Sequence, residues 1–204
     1  MTEPTASEQL RVLAGVASVC TDCRLSESRT TVVFGDGSLT ADLMFVGEGP
    51  GYHEDQQGLP FVGAAGQLLN RLLNEIGLSR EDCYIANVVK CRPPGNRDPR
   101  PDEIDACKHY LADQIRLIDP AVVVTLGNFS TQLLLKDDQG ISKLRGRAYN
   151  WWNRVVVPTY HPAAALRGGE GVLEAIRQDL GLARSFLDRR AGLEAEPEQL
   201  GLFG

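Results

Sequence analysis

Four short apolar runs punctuate the chain, at 43–46 (LMFV), 84–89 (YIANVV), 121–126 (AVVVTL) and 154–157 (RVVV), and longer amphipathic stretches separate them. Each run is apolar on consecutive residues rather than on alternate ones. A strand with apolar residues on both sides must be covered on both sides, which is the situation of a parallel sheet between helical layers. The intervening stretches have the matching period. Ala65, Leu68, Leu69, Leu72, Leu73 and Ile76 fall on one face of a helix. Pro101, followed by Asp102 and Glu103, opens a second helix whose apolar positions are Ile104, Cys107, Leu111, Ile115 and Ile118. A short helix is expected after Gly127. A last one is expected over 171–189, with Val172, Ile176, Leu180, Ala183 and Leu187 inward. Near the start, Leu10, Leu13, Val16 and Ala17 have helical spacing, with Ser7 as the expected N-cap. The expected fold is α/β: a three-layer α/β/α sandwich around a mostly parallel, four-stranded central sheet. Residues 1–190 read as one domain and 191–204 as an acidic flexible tail.

Composition narrows the class. With 43% hydrophobic and 24% charged residues in 204, the chain has an ordinary globular balance. No window of eighteen apolar residues exists, so no membrane span is expected. The run VLAGVASV at 12–19, ahead of Cys20, has the outline of a signal segment. It lacks the positive start, because the first ten residues hold Glu3 and Glu8 but no Lys or Arg. A cytoplasmic location follows as the expectation. Five unevenly spaced cysteines do not make a secreted disulfide framework. A net charge of −6 argues against a polyanionic partner until its distribution is read. Lys143, Arg145, Arg147, Arg154 and Arg167 lie in 140–167 with no acid, and Lys90, Arg92, Arg97 and Arg100 face only Asp98 in 87–100. Glu194, Glu196 and Glu198 gather in the tail.

Open parallel sheets bind ligands beyond the carboxyl ends of their strands. Gly47-Glu48-Gly49-Pro50-Gly51 follows the first run, Asn87 stands near the end of the second with Lys90, Cys91 and Arg92 following, and Tyr160-His161-Pro162 follows the fourth. Polar and glycine-rich residues thus converge on one sheet edge. The GEGPG loop is neither a Walker loop nor a dinucleotide fingerprint. It suits close backbone approach to a ligand, or simply a tight turn with a surface Glu48. Phe61, between Pro60 and Gly63, can be a stacking platform or a core residue. His161 stands at the expected active edge. Cys20-x-x-Cys23 with Cys91 and Cys107 can complete a four-thiolate site for Zn²⁺ or a 4Fe–4S cluster. The same spacing also fits a redox pair with two core thiols. Cys83 reads as core.

Together, 47–66 (GEGPGYHEDQQGLPFVGAAG), 87–97 (NVVKCRPPGNR), 161–167 (HPAAALR) and the four cysteines resemble the family 4 uracil–DNA glycosylases, the iron–sulfur branch of that superfamily, over about residues 10–188. The resemblance implies a DNA repair enzyme that flips uracil out of DNA and hydrolyses its N-glycosidic bond, leaving an abasic site. It implies a 4Fe–4S cluster on Cys20, Cys23, Cys91 and Cys107, stapling the N-terminal helix. Gly47, Glu48 and Gly49 match the loop lining the uracil pocket, Phe61 the stacking aromatic, Asn87 the amide that reads the uracil edge, and His161 the histidine at uracil O2. Glu48 and His161 are then the catalytic candidates. Arg92, Arg97 and Arg167, with Lys90 and the 143–154 segment, become phosphate contacts, and Leu166 a wedge in the base stack. Tyr52, His53 or Glu54 is expected to wall off the thymine methyl.

The basic insert ending in histidine that marks covalent uracil-binding relatives is missing, so turnover is expected rather than trapping. Outside the resemblance, Gln199-Leu200-Gly201-Leu202-Phe203 is similar to a bacterial sliding-clamp-binding peptide, and a disordered end would read the same way. A monomer is expected. Two other readings stand beside the enzyme: a non-catalytic or covalent uracil-DNA binder on the same fold, and a zinc-stapled nucleotide-binding module.

Overall fold

The structure, a computed structural model, describes residues 4–195. Six strands form one sheet: β1 (Asp36–Gly37), β2 (Leu43–Gly47), β3 (Cys83–Asn87), β4 (Val122–Leu126), β5 (Tyr149–Trp151) and β6 (Arg154–Thr159), in the order β1-β3-β2-β4-β6-β5. The inner four, β3, β2, β4 and β6, are parallel and coincide with the four apolar runs. The expected count of four strands is corrected to six, because β1 and β5 add antiparallel edges. Their sequences, Asp-Gly and Tyr-Asn-Trp, are too short and polar to register as apolar runs.

Eight α-helices occur among the described residues: α1 (Ala6–Ser18), α2 (Tyr52–Gln57), α3 (Ala64–Glu75), α4 (Pro101–Ile118), α5 (Asn128–Leu135), α6 (Ile141–Leu144), α7 (Pro162–Gly168) and α8 (Glu170–Ala195). Successive strand residues part to opposite faces. Met44 and Val46 pack with Leu10 and Ala17 of α1, Leu111 and Ile115 of α4, and Leu134 of α5. Leu43 and Phe45 pack with Leu69 and Leu72 of α3, Ala165 of α7, and Ile176 and Leu180 of α8. The sheet is therefore a layer between two sets of helices. Cys83 lies in the second core as expected, and burial pushes its thiol up to about 12.

Several boundaries differ from expectation: β3 ends at Asn87, two residues short of the 84–89 run, and β6 runs on to Thr159, two residues past the 154–157 run. The N-cap of α1 is Thr5 rather than Ser7: Thr5 Oγ1 accepts from the Glu8 N–H, and the Glu8 carboxylate accepts from the Thr5 N–H. Only Thr5 has a glutamate three residues on, and the reciprocal pair satisfies two otherwise orphaned donors. Helix α8 continues to Ala195, so the first residues of the expected tail are helical. The Gln199–Phe203 peptide lies outside the described residues. No described helix is long and apolar enough to cross a membrane.

After β2 the chain moves to one side of it for β3, then to the other side for β4. The carboxyl end of β2 is thus the point where the strand order reverses, and a crevice opens there.

Candidate active site

Gly47 ends β2 directly beside Asn87, which ends β3. The pairing continues into the following loops, where the Val88 N–H donates to Gly47 O at 3.0 Å and the Val89 N–H to Glu48 O at 3.1 Å. No side chain fits at Gly47. A Cβ there would lie 2.4 Å from Asn87 Oδ1 and 2.7 Å from Phe61 Cζ. Three residues singled out in the sequence therefore meet at one point.

Phe61 has a left-handed backbone (φ 53°), an uncommon conformation for a bulky residue that must be held by its surroundings. Arg80 donates to Pro60 O at 2.5 Å and to Phe61 O at 3.2 Å. Glu54 Oε1 accepts from the Val62 N–H at 2.9 Å and the Gly63 N–H at 2.8 Å. At Gly66 a Cβ would stand 1.8 Å from Phe61 O, so that helical glycine gives the turn room to close.

His161 is the N-cap of α7, and its Nδ1 accepts from the Ala163 N–H at 3.2 Å. That bond leaves the ring proton on Nε2, which is then a donor. The imidazole stacks on Phe61, with ring centroids 5.5 Å apart and planes at 30°. Desolvation, and then the charge of Arg167, lowers its pKa to about 4 against a smaller opposing effect of Glu54. His161 is neutral at pH 7. Glu48 is half-buried, and burial followed by the charge of Asp98 raises its pKa to about 7.

These side chains line a cleft of about 410 Å³, with Glu48, Gly49, Phe61, Asn87, His161 and Arg167 on its walls. Asn87 is only 1% exposed, and its Oδ1 has no hydrogen-bond partner within the protein. A buried acceptor left empty is costly, so such an atom fits a ligand donor. Of the three residues considered for the thymine wall, Glu54 lines the cleft. Tyr52 and His53 are exposed and stack edge-to-face on each other.

The basic residues divide. Lys90, expected on phosphate, is 1% exposed and lies in the core, with burial lowering its pKa to about 7. It directly continues the apolar Val88-Val89 run, which was the signal for burial. Arg97 lines the cleft but holds the buried Glu103 with both terminal nitrogens, at 2.8 and 2.6 Å. Arg145 is bidentate to Asp179, and Arg154 pairs with Asp119 beside the first residues of β4, at the far end of the sheet. Arg92 lies over the Tyr52 ring, 5.1 Å from its centroid. Leu166 is 50% exposed and Arg167 is exposed beside it.

Cys20, Cys23, Cys91 and Cys107 line a single pocket, joined by Arg29 and Tyr110. Arg29 donates to Cys91 Sγ at 3.4 Å and to Cys20 O at 2.6 Å, and the Lys90 N–H donates to Cys107 Sγ at 3.3 Å. Burial raises the pKa values of Cys23, Cys91 and Cys107. Among the described residues, no three Cys, His, Asp or Glu side chains are gathered as a site for one metal ion.

The family model for the uracil DNA glycosylase superfamily matches residues 34–181, and the chain belongs to that superfamily. Within it, the chain is similar to proteins named Type-4 uracil-DNA glycosylase. That of Saccharolobus solfataricus is 50% identical over 168 residues, covering 78% of each chain. That of Thermotoga maritima is 44% identical over 188 residues, covering 91% of this chain and 98% of the relative. That of Sulfurisphaera tokodaii is 51% identical over 156 residues, covering 72% of this chain and 71% of the relative.

Proposed function

We propose that this chain is a monofunctional uracil–DNA glycosylase, which removes uracil from DNA by hydrolysing the N-glycosidic bond and leaves an abasic site. The observation that carries the reading is the unpartnered Asn87 Oδ1, on a residue that lines a cleft whose other walls include Phe61 and His161. An acceptor there suits uracil N3–H, while Asn87 Nδ2 donates to O4. Cytosine offers the opposite pattern and would leave the amide unpaired. A base in duplex DNA must leave the stack to be reached, and Phe61 returns about 1–3 kcal/mol by stacking on it. Glu54 is the wall that the thymine methyl would meet.

As the glycosidic bond breaks, its electron pair goes to uracil N1 and the sugar gains cationic character. Nε2–H of neutral His161 donates to O2, where negative charge develops in the transition state. Glu48, as carboxylate, orients the water that attacks the sugar carbon and takes its proton. The departing uracil anion is protonated from solvent. Arg167 and Arg92 contact flanking phosphates, and Leu166 enters the base stack.

Cys20, Cys23, Cys91 and Cys107 are the ligands of a 4Fe–4S cluster. Four thiols around one pocket, with N–H donors to two sulfurs, suit a cluster wider than a single ion. When bound, the cluster ties the segment after α1 to α4 and to the loop after β3. Purified protein is expected to be brown with broad visible absorption, and a colourless, zinc-containing protein refutes the cluster.

Gln199–Phe203 is proposed as a sliding-clamp ligand that raises the local concentration of enzyme on DNA. Unchanged clamp affinity after deletion of 199–204 would refute it. The central test incubates the protein with a uracil-containing oligonucleotide, followed by alkaline cleavage, with a thymine control. Strand scission confined to the uracil position is expected, and none at uracil would overturn the reading. Release of more than one equivalent of uracil distinguishes turnover from a covalent trap.

A further inference from the structure

Lys90 stands three residues beyond Asn87, behind the cleft rather than in it. Its Nζ donates to the backbone carbonyl of Asn87 at 2.8 Å and to Gln114 Oε1 at 2.5 Å. Its own N–H donates to Cys107 Sγ at 3.3 Å. Gln114 is anchored in turn, donating to Phe34 O at 2.9 Å and to the Tyr84 hydroxyl at 3.1 Å. The Phe34 ring centroid lies 5.8 Å from Nζ.

Burying an amine costs free energy that an apolar side chain in the same space would not incur. Packing therefore gives no reason for a lysine here. What the amine supplies is a fixed point for one peptide carbonyl, that of a residue that lines the cleft and whose side-chain acceptor is unpartnered. Two N–H donors are enough for both acceptors, in either protonation state of the amine.

We propose that Lys90 is a positioning residue for Asn87, clamping its carbonyl to Gln114 and to the cysteine-lined lobe so that the Asn87 amide meets the uracil edge in one orientation. Lys90 touches no substrate. The inference rests on the base-reading role of Asn87. It also makes the lobe around Cys107 part of base recognition as well as a brace.

The test is a double-mutant cycle between Lys90→Met and Asn87→Ala in the full chain with its cluster. Two quantities are read: the single-turnover rate of uracil excision, and the inhibition constant of free uracil. Visible absorption is recorded for each variant. Leaving the Asn87 carbonyl unpaired is expected to slow excision and weaken free uracil by about tenfold each. On the Asn87→Ala background the same substitution is expected to change either quantity less than about twofold, because both act through one amide. Gln114→Leu removes the amine's other anchor without altering a residue next to a cysteine. It is expected to follow the same non-additive pattern and decides the matter alone if Lys90→Met does not fold. Equal factors on both backgrounds, or wild-type values for the single variants, overturn the proposal. A wild-type protein that leaves uracil in DNA overturns the functional reading instead, before the cycle is begun.

Discussion

At the scale of single residues, the proposed roles divide between recognition and chemistry. His161 donates only because Nδ1 is occupied by the Ala163 N–H and because burial keeps the ring neutral. Removing a donor aimed at developing charge typically costs about 10²–10³ in rate. His161→Ala is therefore expected to lose that much in single-turnover excision while its affinity for uracil-containing DNA changes little. An equal loss in both would make His161 a general binding residue. Glu48 gives a pH signature. Its pKa near 7 means that the carboxylate forms as pH rises through neutrality, so kcat/KM is expected to climb between about pH 6 and 8. Stability runs the opposite way. The folded state holds the Glu48 proton more tightly than the unfolded state, so stability falls as pH rises from 4.5 towards 7. Glu48→Gln is expected to raise Tm at pH 8 by roughly 2–4 °C, for about 1 kcal/mol after allowing for solvent screening, and to do little at pH 4.5. A Tm gain of equal size at both pH values would refute the assignment.

At the scale of elements, the Phe61 turn matters most for the pocket. Its left-handed backbone is held by Arg80, by Glu54 at the start of α2, and by the space at Gly66 in α3. Arg80→Met strips the carbonyls of Pro60 and Phe61 of their donor. It is expected to lower kcat/KM by about tenfold and to cost about 1–3 kcal/mol of stability in denaturant titration. Full activity in that variant would show that the turn holds without it. The four inner strands were legible because consecutive apolar residues leave few alternatives. The meeting of Gly47, Asn87 and His161 was legible because the carboxyl ends of such strands share an edge. The edge strands and α2 were not, since Asp-Gly, Tyr-Asn-Trp and Tyr-His-Glu-Asp-Gln-Gln bury too little apolar surface to leave a pattern. Thr5 was within reach, because its glutamate three residues on is the signature that Ser7 lacks. Lys90 follows Val88-Val89 directly, a hint of burial, yet a lysine is ordinarily solvated, and what receives its amine inside is the long-range partner Gln114.

At the scale of the whole molecule, the chain carries a net charge of −6, so on the proposed reading its contact with DNA rests on a few cations near the cleft. Arg167 is exposed on α7 beside Leu166, whereas Arg97, Arg145 and Arg154 are occupied by Glu103, Asp179 and Asp119. Binding is expected to weaken with salt, and Arg167→Ala is expected to flatten the logarithmic salt slope by about 1 unit. An unchanged slope would move the phosphate contact elsewhere.

The sheet ends in strands of two and three residues, set antiparallel to their neighbours. An incoming strand finds almost no run of free amides and carbonyls to copy. Two copies of this chain therefore have little backbone along which to join their sheets edge to edge.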